Sequence, residues 1–305
     1  MWKISFILPN IKLSNNVETD YLALVNFEDE RITKIIEEEN NALKLLNGFK
    51  NDSNDSIKPA VLIYKEFHPD KVISTDSMVT FRDIVAISTI LSNWSLDYSE
   101  ASPFGPLFSN SYDFYPITIG KDGNLKTINP ATTSFHSPNS PFLATPSREV
   151  SRVESGLEDP ILYKALIGLW KQKYELGKED NIYSIKVFRS LEMAYYALSI
   201  PSKNESSEYD YGLILTLWVS AIEILVKPKD KNVTKIDVIN FLKSHGLKDP
   251  NLNLDFQEIN IGNNQKLNIN FIQKLYLIIY DYRSNYIHGD EINNEIFEFI
   301  KEFPN

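Results

Sequence analysis

Several residue types and patterns are scarce or missing in this sequence of 305 residues. It contains no cysteine, which excludes disulfide bonds, thiolate metal ligands and a cysteine nucleophile. Its four histidines are too few for a histidine-rich metal site. No apolar run approaches the ~18 residues of a membrane span, and the run at residues 4–8 is too short for a signal-peptide core. We therefore expect a cytoplasmic protein that uses no metal ion and no cofactor and does not enter a membrane.

Positive charge is also in short supply. The 31 basic and 41 acidic side chains give a net charge of −10. An acidic chain does not coat nucleic acid through bulk charge. Any contact with nucleic acid must therefore be confined to a local site.

Proline is unevenly distributed and suggests two domains. Seven of the 15 prolines fall between residues 101 and 150, in a stretch that is also rich in serine and threonine. This composition favours loops over packed helices. Long amphipathic runs with few breakers follow. We therefore predict an α+β sensing or regulatory domain over residues 1–150, ending in a Pro/Ser-rich segment, and an all-helical bundle over residues 151–305.

The first half contains apolar residues in two patterns, the alternation of strands and the spacing of helices. Alternating apolar residues predict a strand from Trp2 to Leu8, and short apolar runs predict two more. Spacings of three and four predict two helices. The predicted elements after the first strand are strands at 21–27 and 61–67, helices at 30–49 and 81–94, and a hairpin around Gly-Lys-Asp-Gly-Asn at 120–124. No phosphate loop, nucleophile elbow or dinucleotide fingerprint occurs in this half.

The second half is predicted to be a compact bundle of helices. Prolines and glycines separate its periodic segments, and residues 250–270 form an Asn-rich stretch that we interpret as a loop. The predicted helices are 160–176, 182–200, 209–226, 234–245, 271–287 and 291–302.

One helix end carries residues suited to chemistry on phosphate. Residues 281–289 read Asp-Tyr-Arg-Ser-Asn-Tyr-Ile-His-Gly. Arg283 suits a phosphate because its guanidinium donates two parallel hydrogen bonds. His288 suits proton transfer because the ordinary pKa of histidine lies near neutrality. Together they would suffice for metal-independent cleavage of RNA, with the 2′-hydroxyl attacking the adjacent phosphate.

The spacing of this pair limits how it can act. On a regular helix, positions five apart lie about 140° from each other, so Arg283 and His288 do not share one face. Their convergence requires either a helix that loosens at its end, near Gly289, or a second subunit that supplies one of the two residues.

Two motifs carry a family resemblance. The stretch Tyr-Arg-Ser-Asn-Tyr-Ile-His-Gly at 282–289, at the end of a long helix, resembles the HEPN (higher eukaryotes and prokaryotes nucleotide-binding) superfamily, and its Arg-Ser-x-x-x-His-Gly form resembles the Apea-like branch. The stretch Trp-Val-Ser-Ala-Ile-Glu-Ile-Leu at 218–225 resembles the central helix of that family. The resemblance covers about residues 155–303 and leaves the first half unassigned.

The resemblance implies a dimeric, metal-independent endoribonuclease of a bacterial toxin–antitoxin or anti-phage system, in which the motifs of two subunits meet. Arg283 would then bind phosphate, His288 would act as acid and base, Asn285 would assist as a polar group, and Glu223 would orient Arg283. RNA would be the substrate, and an antitoxin or a phage-derived trigger would be a further partner. The residue after the arginine is Ser284, where active toxins often have Asn, His or Asp.

Alternative interpretations remain open at this point. The bundle could be a non-catalytic HEPN module for dimerisation and for binding RNA, a nucleotide or a protein. Arg283 and His288 could simply be a solvated arginine and a histidine that caps the last carbonyls. Glu223, on an apolar helix, needs a partner, and Arg283 or Arg189 would serve. A local basic run could contact the RNA backbone or be a solvated loop; it comprises Lys227, Lys229, Lys231 and Lys235.

Overall fold

The structure is a computed structural model that forms two compact units, Met1–Asp180 and Asn181–Asn305. It describes residues 1–13, 15–50, 55–97, 108–120, 123–127, 153–155, 160–178, 182–199, 208–227, 231–245, 253–260 and 266–290. The last predicted helix, 291–302, and most of the Pro/Ser-rich segment lie outside the described residues.

The first unit is built on a small antiparallel sheet. Its elements are β1 (Trp2–Leu8), β2 (Ile11–Leu13), β3 (Val17–Glu18), β4 (Leu22–Val25), α1 (Glu30–Glu38), α2 (Asn40–Asn47), β5 (Ala60–Lys65), α3 (Thr75–Asp97), β6 (Ile117–Ile119), β7 (Leu125–Thr127), β8 (Val153–Ser155) and α4 (Pro160–Trp170). The main sheet has the order β1-β5-β4-β3, with every neighbouring pair antiparallel. This confirms an α+β arrangement in the N-terminal part of the chain.

Both faces of this sheet are covered. Alternate residues of β1, β4 and β5 join residues of α1 and α2 in one apolar cluster, which contains Ile4, Val25 and Ile63. Most of the residues between them are buried as well, and the partly buried Ser5 donates to Met78 Sδ of α3 at 2.7 Å. The sheet is therefore a middle layer between α1–α2 and α3, which explains why β4 reads as a continuous apolar run.

Three predictions for this unit need correction in detail. The helix predicted over 30–49 is two helices, because the backbone is extended at Glu39. The helix predicted to begin at Phe81 begins at Thr75, after a 3-10 turn at Asp70–Ile73. The strands predicted at 21–27 and 61–67 are shorter, while the hairpin around 120–124 is confirmed by the pairing of β6 with β7.

The compact units divide later than the boundary predicted near residue 150. Strand β8 pairs in parallel with β2, and α4 packs on α3, where Trp170 Nε1 donates to the carbonyl of Ser77 at 2.9 Å. A π-helical turn follows α4 at Lys171–Glu175, and its Glu175 accepts from the backbone of Asp20. Burial of Trp170 thus ties the segment after residue 150 to the first unit.

The second unit is mainly helical. It contains α5 (Ile182–Leu198), α6 (Glu208–Val226), α7 (Lys235–His245), β9 (Asp255–Asn260), β10 (Lys266–Asn270) and α8 (Phe271–His288). Helix α6 packs against α5, α7 and α8. Four of the predicted helices of this half thus appear here within one or two residues of their predicted ends, as expected for long periodic segments.

The prediction of an all-helical second half is wrong at the Asn-rich stretch. Strands β9 and β10 form an antiparallel hairpin there. Alternating Leu267 and Ile269 place apolar side chains against the helices, and Ile269 is fully buried beside Val238 and Tyr276. Asn268 between them is exposed, so the Asn-rich composition concealed a period of two.

Both ends of α8 are defined by side chains and backbone bonds. Asn270 and Gln273 form a capping box, and the Gln273 side chain also donates to the carbonyl of Ile239 at 2.7 Å. At the other end Gly289 adopts a left-handed conformation with φ of 74°. The helix that carries the candidate motif is therefore anchored on α7 and regular up to His288.

Among the described residues, no helix has the length and apolarity that crossing a membrane requires.

Candidate functional site

Arg283 lies half-buried on α8, at the interface with α6. Its guanidinium carbon is 5.7 Å from the centre of the Tyr280 ring, as expected for a side chain that points back toward the start of its helix. Its Nε is buried, and among the described residues it has no hydrogen-bond partner and no ion pair. A half-buried arginine without a carboxylate at contact distance is available for an anionic ligand.

Glu223 lies on α6, close enough to Arg283 for the two charges to interact. Burial raises the pKa of Glu223, and the charge of Arg283 partly offsets this shift. The described residues include no ion pair between the two side chains, so the closed Glu223–Arg283 pair that we considered from the sequence is not formed. The other candidate partner, Arg189, is exposed on α5.

Tyr276 on α8 interacts electrostatically with Glu223 and Arg283, although no motif in the sequence points to it. It is 3% exposed, and its hydroxyl has no hydrogen-bond partner among the described residues. Burial raises its pKa, with further contributions from Glu223 and Tyr280, while Arg283 acts in the opposite direction. The signal in the sequence is the spacing of Tyr276, Tyr280 and Arg283 at positions i, i+4 and i+7 of one helix face.

His288 and Asn285 lie in the last turn of α8. The carbonyl of Asn285 accepts from the backbone of Gly289 and of Asp290, which closes the helix. His288 is exposed, while Asn285 is half-buried. Because the helix stays regular to His288, Arg283 and His288 point about 140° apart, and one protomer does not bring them together.

The ring of Tyr286 on α8 packs directly on the backbone of α6 at Gly212. A Cβ atom added to Gly212 on α6 would lie 2.1 Å from the ring of Tyr286. Only a glycine leaves room for that ring. This contact holds the last turn of α8, with His288, beside the first turns of α6.

The basic run extends along the connection between α6 and α7. Lys227 and Lys231 are exposed, while Lys235 is the first residue of α7. Lys229 lies outside the described residues. Lys186 of α5 donates to the carbonyl of Lys227, which adds a cation at the end of α6.

In the part of the chain that the structure describes, no three His, Asp or Glu side chains come together as metal ligands. Comparisons of the chain with protein-family models, with curated proteins and with solved structures found no match. The candidate site is therefore defined by its own geometry, which is a half-buried arginine without an ion pair, a facing glutamate and tyrosine, and an exposed histidine one turn further along α8.

Proposed function

We propose that this chain is a metal-independent endoribonuclease of the HEPN type. The observation that carries the proposal is the state of Arg283, which is half-buried at the α6–α8 interface with an unpartnered Nε and no ion pair among the described residues. In a chain of net charge −10, such an arginine is a local binding site for phosphate. The resemblance of residues 282–289 and 218–225 to HEPN motifs adds RNA as the substrate.

The reaction is an internal transfer within RNA. The 2′-oxygen of one nucleotide forms a bond to the adjacent phosphorus, and the bond from phosphorus to the 5′-oxygen of the next nucleotide breaks. A proton leaves the 2′-hydroxyl and the leaving 5′-oxygen takes one up, so the products are a 2′,3′-cyclic phosphate and a 5′-hydroxyl. Arg283 stabilises the charge on the phosphate oxygens. His288 moves the proton, and Asn285 assists as a hydrogen-bonding group.

The active unit is a homodimer in this proposal. Two observations support it: Arg283 and His288 diverge within one protomer, and α6 exposes apolar side chains, with Leu213 45% exposed. A second copy that covers this face would place its His288 near the first copy's Arg283. Two composite sites would result from one two-fold axis.

Single substitutions test the chemistry. Total RNA incubated with the purified protein in EDTA should be cleaved to ends with 2′,3′-cyclic phosphate and 5′-hydroxyl groups. Arg283→Ala and His288→Ala should each reduce the rate by at least about 100-fold. The matched controls are Arg189→Ala and His245→Ala, which change an exposed arginine on α5 and an exposed histidine on α7. Equal cleavage by all five proteins would refute the proposal.

Mixing the two inactive variants tests the composite site. A heterodimer of Arg283→Ala and His288→Ala protomers keeps one intact Arg–His pair if the pair spans the interface. Random exchange of subunits should then restore roughly a quarter of the wild-type sites. Mixtures that stay inactive after exchange would show that each protomer builds its own site.

The acidic charge favours a second candidate, a non-catalytic HEPN module for dimerisation and binding. A net charge of −10 opposes the approach of RNA as a whole, and Ser284 follows Arg283 where active toxins often have other residues. The second candidate predicts that the protein leaves RNA intact in EDTA while remaining dimeric.

The biological setting in the proposal is bacterial anti-phage defence in the cytoplasm. The first unit serves as the sensing or restraining part, since none of the four site residues lies in it. Its partner is an antitoxin or a phage-derived trigger. Expression of the wild type should arrest growth of a bacterial host, and Arg283→Ala should abolish this toxicity.

A further inference from the structure

A second cation lies against the aromatic ring that supports Arg283. The Nζ atom of Lys235, at the start of α7, is 4.4 Å from the centre of the Tyr280 ring, while the guanidinium carbon of Arg283 is 5.7 Å from the same centre. The two positive charges therefore lie within about 10 Å of each other, on one cation–π support. Tyr280 sets their spacing.

The charge of Lys235 is only loosely compensated. Lys235 pairs with Asp281, and the two side chains are 42% and 62% exposed. An exposed ion pair of this kind contributes little to stability because water screens it. A phosphodiester of RNA carries one negative charge, as the Asp281 carboxylate does, so it can replace this weakly held partner at little cost.

More cations surround this position than the composition of the chain suggests. Lys227 and Lys231 are exposed on the connection that leads into α7, and Lys186 reaches the same end of α6. Among the described residues, the carboxylates that oppose these cations include Asp281, Asp237, which is held by Thr234 at the start of α7, and Glu223, which acts on Arg283. Lysines therefore lie at the end of α6 and just before α7, the helix that Lys235 begins.

We propose that Lys235 is the second phosphate-binding residue of the RNA site, which holds the phosphate next to the one at Arg283 and releases Asp281 when it does so. This inference rests on the proposed function, since it takes RNA as the ligand. The strand is single, because two cations flanking one aromatic side chain match consecutive phosphates of a flexible strand. Tyr280 is the positioning residue, and Asp281 competes with RNA for Lys235.

Salt-dependent binding tests this assignment without relying on cleavage. The probe is a fluorescein-labelled single-stranded 2′-O-methyl oligoribonucleotide, which has no 2′-hydroxyl to attack, and fluorescence anisotropy of the full chain gives Kd between low and moderate salt. Lys235→Gln should weaken binding several-fold and reduce the slope of log Kd against log salt by about 0.7, the value for one lost phosphate contact on a single strand. Asp281→Asn should strengthen binding several-fold.

Matched variants separate this role from a structural one. Lys235→Arg keeps the charge and the ring contact and should restore the wild-type slope. Lys266→Gln and Glu258→Gln break another exposed ion pair, on the β9–β10 hairpin, and should leave the slope unchanged. Tyr280→Leu should weaken binding as Lys235→Gln does, although both charges remain.

The outcomes distinguish this inference from the nuclease proposal. A wild-type slope for Lys235→Gln, in a protein that cleaves RNA, overturns the assignment of Lys235 alone. The expected slopes in a protein that leaves RNA intact support the site and refute the nuclease. If the wild type does not bind the probe, the assignment of Lys235 is overturned, and the nuclease proposal is overturned with it only if the protein also leaves RNA intact.

Discussion

Helices α3 and α6 are both long and rich in apolar residues, yet their surroundings differ. In α3 most of the apolar side chains with described burial are enclosed, with Phe81, Ile84 and Ile90 at 0% exposure, while Leu91 is 38% exposed. In α6 only Val219 and Ala221 are buried among the apolar side chains with described burial, while Leu213 is 45% exposed. The first helix packs on α4 and contacts the main sheet through Met78, whereas the second packs on α5, α7 and α8 and still leaves Leu213 partly in water.

The polar groups near the two helices differ in their hydrogen-bond partners. Beside α3, the hydroxyl of Tyr174 donates to Asp76 at 2.5 Å, and Ser88 donates to the carbonyl of Ile84. Beside α6, the hydroxyl of Tyr276 and the Nε of Arg283 have no partner among the described residues. Each buried group without a partner lowers stability and calls for an explanation such as a bound water, a ligand or a second subunit. The Oγ atom of Ser77 on α3 is such a group as well, so among the described residues the difference is that the groups beside α6 include a charged side chain, Arg283.

The largest test of this contrast removes a core side chain. Phe81→Ala should lower the free energy of unfolding by about 3–5 kcal/mol because it opens a cavity under the Trp170 ring. Leu213→Ala on α6 should cost less than about 0.5 kcal/mol in a monomer, since the side chain is already half in water. Urea unfolding of the full chain measures both. Similar losses for the two variants would contradict the contrast.

The next test concerns the glycines of two helices. Gly212→Ala should destabilise the protein by about 1–3 kcal/mol because its new methyl group overlaps the Tyr286 ring. Gly168→Ala on α4 is the control. Among the described residues, no atom outside its chain neighbours and its own helix backbone lies within 4 Å of the added Cβ, so the substitution should stabilise the protein by about 0.5–1 kcal/mol. Thermal unfolding should show shifts of opposite sign, and two shifts of one sign would rule out the close approach of α6 and α8.

A smaller effect separates the two buried tyrosine hydroxyls. Tyr174→Phe should cost about 1 kcal/mol, because the bond to Asp76 is lost. Tyr276→Phe should leave the stability unchanged or raise it slightly, because its hydroxyl is buried without a partner. If Tyr276→Phe lost as much stability as Tyr174→Phe in urea, the Tyr276 hydroxyl would contribute to the stability of the fold.

The smallest effects are pH-dependent, and they have opposite signs in the two units. Burial raises the pKa of Glu223, so its contribution to stability is present below the ordinary carboxyl pKa and is lost as the pH rises through the raised value. The hydrogen bond from Arg31 lowers the pKa of Asp29, so that contribution is present above the ordinary pKa and is lost as the pH falls through the lowered value.

Replacing each of these two carboxylates by the corresponding amide makes the pH dependence of stability measurable. Glu223→Gln should be more stable than the wild type at neutral pH, with the difference vanishing in acid. Asp29→Asn should be less stable than the wild type at neutral pH, and this difference should also vanish in acid. Melting temperatures measured across the acid range test both, and a Glu223→Gln protein that is less stable at neutral pH would show that Glu223 is ionised in a closed pair with Arg283.

Much of the local structure could be predicted from the sequence because local patterns specify it. The alternation of β1 and the spacings of α5, α6 and α8 identify these elements within one or two residues of their ends. The β9–β10 hairpin was missed, since the many asparagines of residues 250–270 concealed the alternation of its apolar residues. The break at Glu39 was missed too, because apolar spacing continues across it.

Part of the candidate site, too, could be predicted from the sequence, and part could not. The motif around Arg283 and His288 follows from the chain itself, as does the angle of about 140° between them on a helix. Tyr276 escaped notice because a tyrosine at helical spacing looks like any core residue, and its buried, unpartnered hydroxyl depends on what α6 places beside it.

By itself, then, the sequence determined which chemistry is available: no thiol, few histidines, and one arginine and one histidine near the end of one helix. Only the tertiary structure decided which groups meet. It joined the segment after residue 150 to the first unit through Trp170, it set Glu223 against Arg283 without closing an ion pair, and it placed Lys235 and Arg283 on one ring. Local patterns arise from neighbours in the chain, whereas contacts between distant segments depend on how complete faces pack.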